Sequence, residues 1–354
     1  MLYGIAAATS ALLLAAFLAA LFRLPALRLG IIDRRRQRPL PLLGGTGVAL
    51  TTCLVVAAWE WAGIAPLGPE IRRLLIAAGA VALLGLVADV RRVKARFLAG
   101  GTAVAAACVV PYGETGILLG LPAIGCVVLV TFGFKALDHA DALAGTVGVV
   151  TAFGVGVCAA AEMMDELAVL LSVLAAALTG FLMHNWHPAR IGLGACGSLF
   201  IGFVLASSAV MTRAGHHPVA SAGVLYALTA LVTADVLLVA VSRRLAGRPL
   251  LRGAPDHLAH RLRRLGLTPQ ATTVLLAVLA FSGVLVGVLT HMGWAPRSGV
   301  YWVGAGALVV VLGLLRIKVY GPRRQPPVPV GEPVRTSTSL TSTQVRAQLR
   351  VRNG

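Results

Sequence analysis

The amino-acid sequence predicts an all-α, polytopic integral membrane protein of about eleven transmembrane helices, with the N-terminus outside and the C-terminus cytoplasmic. Three observations carry that reading. Of 354 residues, 58% are hydrophobic and only 12% are charged, against roughly 25% charged in soluble domains. Mean hydropathy is +0.86. Apolar runs recur along the whole chain, many of about 17 to 25 residues, the length a helix needs to cross the hydrocarbon core.

Taken in order, the expected spans are 2–22, 43–65, 74–88, 96–112, 117–135, 141–161, 166–184, 192–212, 218–242, 271–292 and 298–315. The first has no basic residues before it and an Arg cluster after it, so it reads as a retained helix rather than a cleaved leader. Together they make one membrane domain over residues 1–316. Residues 317–354 are rich in Pro, Ser, Thr and Arg and are expected to form a basic, disordered cytoplasmic tail. The five cysteines stand singly in or beside apolar spans, as small buried hydrophobes do.

The formal charge of +18 invites a nucleic-acid reading, but its distribution argues otherwise. With the N-terminus outside, Arg23 to Arg38, Arg91 to Arg96, Lys135, Arg190, Arg243 to Arg264 and the tail all fall in the cytoplasm. Only Arg72, Arg73, Arg213 and Arg297 fall outside. That asymmetry is the positive-inside rule, and it accounts for the charge without nucleic acid. The basic faces should lie against anionic lipids. The expected location is a bacterial plasma (inner) membrane, with multiple passes and the site on its cytoplasmic face.

Carboxylates near a membrane are costly and commonly functional. Six aspartates, Asp33, Asp89, Asp138, Asp141, Asp235 and Asp256, fall on or near the cytoplasmic side. Asp138 and Asp141, three apart in FKALDHADALAG, would share a helical face. Paired carboxylates suit a hard divalent cation such as Mg²⁺, or else form an ordinary helix cap. Asp89 reads as a candidate catalytic acid or a solvated helix end. Lys135 reads as a phosphate-facing cation or a snorkelling anchor. The segment PDHLAHRLRRLG places Asp256, His257, His260 and Arg261 on a cationic face suited to a phosphate-bearing substrate. Asn185, within MHNWHPARIG, could reach a nucleotide, while His216 and His217 read as a solvated outer loop.

Six segments in order carry a resemblance: PLPLLGG at 39–45, GLVADVRRVKAR at 85–96, LDHADALAG at 137–145, GACGSLFIGF at 194–203, Asp235 before VLLVAVSRRL, and DHLAHRLRRLG at 256–266. The chain resembles the polyprenyl-phosphate N-acetylhexosamine-1-phosphate transferases over roughly residues 1–315. The resemblance implies transfer of a sugar 1-phosphate from a UDP-HexNAc to a membrane polyprenyl phosphate, with Mg²⁺ as cofactor and UMP released, for cell-envelope glycan synthesis. It implies Asp89, Asp138 and Asp141 as catalytic residues, with Asp138 and Asp141 on the metal. Lys135, Asn185, Asp235, Asp256, His257, His260 and Arg261 would bind substrate, and a homodimer is allowed. Several positions depart from the family pattern. Ala88 and Ala195 replace two family aspartates, His139 and Ala142 replace two motif glycines, Phe132 and Lys135 replace asparagines, and Ala259 replaces a histidine.

Three expectations follow. The first is a divergent transferase. The second is a non-catalytic relative that binds polyprenyl phosphate, nucleotide sugar or a nucleoside inhibitor. The third, a transporter, fits poorly with acids gathered at one surface and no inverted repeat.

Overall fold

The computed structural model describes residues 2–33, 39–63, 67–91, 93–249, 256–317 and 319. The expected tail therefore lies almost wholly outside the described residues, as do Arg34 to Arg38. Residues Met1–Ile317 form one compact unit.

Its helices are α1 (Leu2–Arg28), α2 (Gly44–Trp61), α3 (Pro69–Val90), α4 (Ala95–Val109), α5 (Tyr112–Leu137), α6 (Leu143–Ala161) and α7 (Asp165–Asn185). They continue as α8 (Gly194–Met211), α9 (Pro218–Leu228), α10 (Ala230–Leu245), α11 (Leu258–Arg264), α12 (Pro269–His291) and α13 (Gly299–Leu315). Between α1 and α2, β1 (Ile32–Asp33) and β2 (Leu40–Pro41) pair antiparallel, Ile32 opposite Pro41. Among the described residues, each expected span overlaps a helix, but the count of about eleven is not reproduced. By length and hydropathy, seven helices among the described residues qualify alone, and eight if α9 and α10 count as one span. The ninth span departs from expectation: α9 and α10 meet at an 83° bend. α4 and α13 are shorter apolar helices.

Helix starts follow local chemistry. Pro69, Pro218 and Pro269 occupy first-turn positions where a missing N–H costs nothing. Asp165 and Glu166 lie in the first turn of α7, where the helix dipole favours anions. Thr268 caps α12 by accepting from the Ala271 N–H.

The apolar helix α8 is wholly buried, as an all-round apolar helix must be. It packs against α2, α3, α5 and α6. Small residues let these backbones approach, the device of helix pairs in lipid. A Cβ on Gly45 would sit 2.3 Å from the Gly197 Cα, and one on Gly202 would sit 2.7 Å from the Thr131 Cα. Trp61, Trp294 and Trp302, exposed at the ends of α2, α12 and α13 away from the start of α8, suit an interfacial belt.

Candidate functional site

The start of α8 is where the separate segments meet. The PLPLLGG strand-and-turn docks on the residues preceding it: Gly192 N–H donates to Pro41 O at 2.7 Å, and Gly44 and Gly45 donate back to Gly192 and Leu193 carbonyls, each at 3.0 Å. Gly194 has φ +71, and an added Cβ would lie 2.5 Å from the Leu42 carbonyl oxygen. A side chain there is excluded by both conformation and space.

Two carboxylates hold the first N–H groups of α8. Asp89, at the end of α3, accepts from Ala195 (Oδ1, 2.8 Å) and Cys196 (Oδ2, 2.9 Å). Asp138, just after α5, accepts from Gly194 through Oδ2 at 3.0 Å. Charge on these orphan donors is stabilising. Lys135 interacts electrostatically with Asp89.

Asp141 turns elsewhere. Its Oδ2 accepts from His187 Nδ1 at 2.8 Å and from the Ala189 N–H at 3.2 Å. Asn185 ties the same two loops: its Oδ1 accepts from the Ala142 N–H at 2.9 Å, and its Nδ2 donates to the Ile191 carbonyl at 2.7 Å. Asn185 is 3% exposed, so it braces the loops on either side of it. Ala142, where the resemblance expects glycine, has φ +60, the left-handed region costly for a Cβ.

A second group lies between α5, α10 and α11. Asp235 is fully buried; its Oδ2 accepts from His257 Nδ1 at 2.8 Å and its Oδ1 from the Leu258 N–H at 2.8 Å. His139 stacks on His257 with ring centroids 4.3 Å apart and lies 4.7 Å from His260. The His139 Nδ1 bonds the Ala136 carbonyl at 2.7 Å. A carbonyl only accepts, so Nδ1 carries the hydrogen and Nε2 the lone pair. Burial, aided by the neighbouring imidazoles, pushes His139 down to about 3, and burial with His257 and Arg263 pushes His260 down to about 4. Both are neutral near pH 7.

Asp256 and Arg261, expected to bind substrate, are both buried against protein partners. Asp256 is fully buried in a bidentate pair with Arg243, at 2.7 and 2.8 Å. Arg261 is 1% exposed. It donates to the Asp256, Leu314 and Ile317 carbonyls at 3.1, 2.7 and 2.9 Å, and to the Ser242 hydroxyl. This guanidinium joins α10, α11 and the end of α13 instead of facing a ligand. A loop sequence does not reveal that its cation is buried. His139 was missed as a site residue, because its signal is spatial: His257 is 118 positions away along the chain.

Each of the two carboxylates expected to hold Mg²⁺ has its Oδ2 engaged by the protein. Asp138 is engaged with the α8 backbone and Asp141 with His187 and Ala189. Among the described residues, the only group of three or more potential ligand side chains within 4.8 Å of one another is His139, Asp235 and His257.

Far from this end, the expected solvated loop is partly paired. His216 and His291 approach Glu162 at 3.3 and 3.2 Å, and Arg213 Nη1 lies 2.8 Å from His291 Nδ1.

Comparison with known proteins identifies the lineage. A protein of Streptomyces coelicolor, provisionally named a glycosyltransferase, is 63% identical over 327 residues, covering 91% of this chain and 80% of that protein. Residues 71–213 match the sequence profile of glycosyl transferase family 4. The chain belongs to glycosyl transferase family 4. The matched stretch runs from within α3 to two residues past α8, and so contains Asp89, Lys135, Asp138, Asp141, Asn185 and the whole start of α8. Within the family, the phospho-N-acetylmuramoyl-pentapeptide-transferase of Moorella thermoacetica is 34% identical over 210 residues, 59% of this chain and 62% of that protein. The decaprenyl-phosphate N-acetylglucosaminephosphotransferase of Mycolicibacterium smegmatis is 27% identical over 353 residues, 85% of each chain. This family 4 member is thus a multi-pass membrane protein whose relatives include phosphosugar transferases.

Proposed function

We propose that the protein is a divergent phosphoglycosyl transferase, moving a HexNAc-1-phosphate from a UDP-sugar to a polyprenyl phosphate on the cytoplasmic face of a bacterial membrane. One observation carries the reading. Polar side chains from five segments gather at one end of the helical bundle: Asp89; Lys135, Asp138, His139 and Asp141; Asn185 and His187; Asp235; and His257 with His260. A lipid-phosphate acceptor arrives from the bilayer and a nucleotide from water, so their meeting place belongs at such an end.

The chemistry is an in-line displacement. An oxygen of the polyprenyl phosphate attacks the phosphorus that bears the sugar, a new P–O bond forms, and the bond to the bridging oxygen breaks as UMP leaves. Two polyanions approach, so positive charge and hydrogen-bond donors are required. Lys135 supplies a cation beside Asp89. His187, oriented by Asp141, and His260 supply imidazoles at the same end. The reading is tested by UMP release from UDP-HexNAc and polyprenyl phosphate by protein in nanodiscs. Release is expected, with loss in Asp141→Asn; its absence with every nucleotide sugar would overturn the reading.

A second reading, a non-catalytic binder, is favoured by one specific observation. The carboxylates at Asp89 and Asp138 are engaged with the α8 backbone while Ala88 and Ala195 supply none. Under it, UDP-sugar binds without turnover, and UMP release appears only in the double variant Ala88→Asp/Ala195→Asp.

A further inference from the structure

We propose that His139, His257 and Asp235 form a binding site for a divalent transition-metal ion of the zinc class. The three residues come from separate elements, the α5–α6 turn, the start of α11 and the middle of α10, and no hydrogen-bond pattern along one helix accounts for their meeting. Each offers one ligand atom within 4.8 Å of the others. Bonds of 2.0–2.1 Å in a tetrahedral zinc site put ligand atoms roughly 3.4 Å apart. Closure therefore requires shifts on the order of 1 Å, within reach of side-chain rotation.

The donor set selects the metal. Two imidazoles and a carboxylate suit zinc or cobalt, whereas magnesium favours oxygen-only, octahedral coordination. A second observation points to a ligand. The His139 Nε2 is buried without a hydrogen-bond partner, and its Nδ1 is occupied by the Ala136 carbonyl. A buried, unpartnered lone pair in a cluster with a carboxylate and a second imidazole is what a cation would satisfy. His257 Nδ1 lies 2.8 Å from Asp235 Oδ2, so an ion binding between them replaces this hydrogen bond, with the His257 proton carried on Nε2. Asp235 also accepts from the Leu258 N–H, which fixes its position. Three protein ligands leave a position open for water or a phosphate oxygen. His139 stands where the family resemblance expects glycine, so this site belongs to this chain and not to the general pattern.

Metal binding stands apart from the transferase reading and is measured without substrate. Tag-free protein in nanodiscs is stripped with chelator, titrated with Zn²⁺ and Co²⁺, and assayed for metal content and for cobalt ligand-field bands. The expected result is one ion per chain, with low-symmetry cobalt bands and a melting temperature raised by Zn²⁺. His139→Gln should weaken binding by about 100-fold or more, judged against the 10- to 100-fold effects of second-shell changes. His216→Gln, at the opposite end of the bundle, should leave it unchanged. His139→Gly serves as the second variant if the glutamine variant does not fold. Absence of stoichiometric metal in the unmodified chain overturns the proposal, as does equal affinity in a folded His139 variant. UMP release, assayed separately, decides the transferase reading whichever way the metal titration falls.

Discussion

Asp89 holds the N–H of Ala195 at 2.8 Å, so this aspartate caps the helix at the very residue where the family resemblance expects an aspartate. The second oxygen does the same for Cys196. Asparagine in its place keeps one acceptor and turns an N–H toward the other donor. Asp89→Asn should therefore cost about 1–3 kcal/mol. Thermal unfolding in detergent measures it, and an unchanged melting temperature would show that the cap contributes nothing.

Ala142 has the opposite expectation. Its φ of +60 is strained for alanine and free for glycine. Ala142→Gly should stabilise the protein by about 1 kcal/mol, seen as a higher melting temperature. A lower one would mean that the turn does not adopt this conformation.

The buried Arg243–Asp256 pair predicts strong coupling. Removing either partner leaves the other charge buried without its bidentate mate, a loss of about 3–5 kcal/mol. Replacing both by leucine should cost much less than the sum of the single changes. A double-mutant cycle measures the difference, and simple additivity would contradict the pairing.

Arg261 should behave as a structural residue. Arg261→Lys keeps the charge but loses the planar fork that reaches the Leu314 and Ile317 carbonyls and the Ser242 hydroxyl. Stability should fall by about 2–3 kcal/mol, with UDP-sugar affinity of the folded fraction unchanged. His260→Ala should show the reverse, weakened binding with a small change in melting temperature. Calorimetry on both variants separates the two roles.

These contrasts mark what a linear chain can disclose. Each apolar run overlaps a helix among the described residues, because the requirement to satisfy backbone groups in lipid leaves the helix as the solution for such runs. The 83° bend near Thr229 was hidden, since 218–242 is apolar on both sides of the break and no proline interrupts it. The segments that converge on α8 were legible as an ordered series of polar islands in apolar sequence. Their internal division was not: Arg261 and His260 are adjacent and both basic, yet one is sealed in the bundle and the other lies against His139. Burial depends on which helix packs above the loop, here the end of α13, and nothing local to residues 256–266 encodes it. His139 was passed over for the same reason, its partners being distant in sequence.

Transfer of a phosphosugar at the polar end of this bundle is read by following UDP-HexNAc labelled in the β-phosphate, incubated with polyprenyl phosphate and the protein in nanodiscs. The label should move into the organic-soluble polyprenyl diphosphate fraction while unlabelled UMP accumulates in water. Label that stays in the nucleotide, with the UDP-sugar bound to the protein, would contradict it.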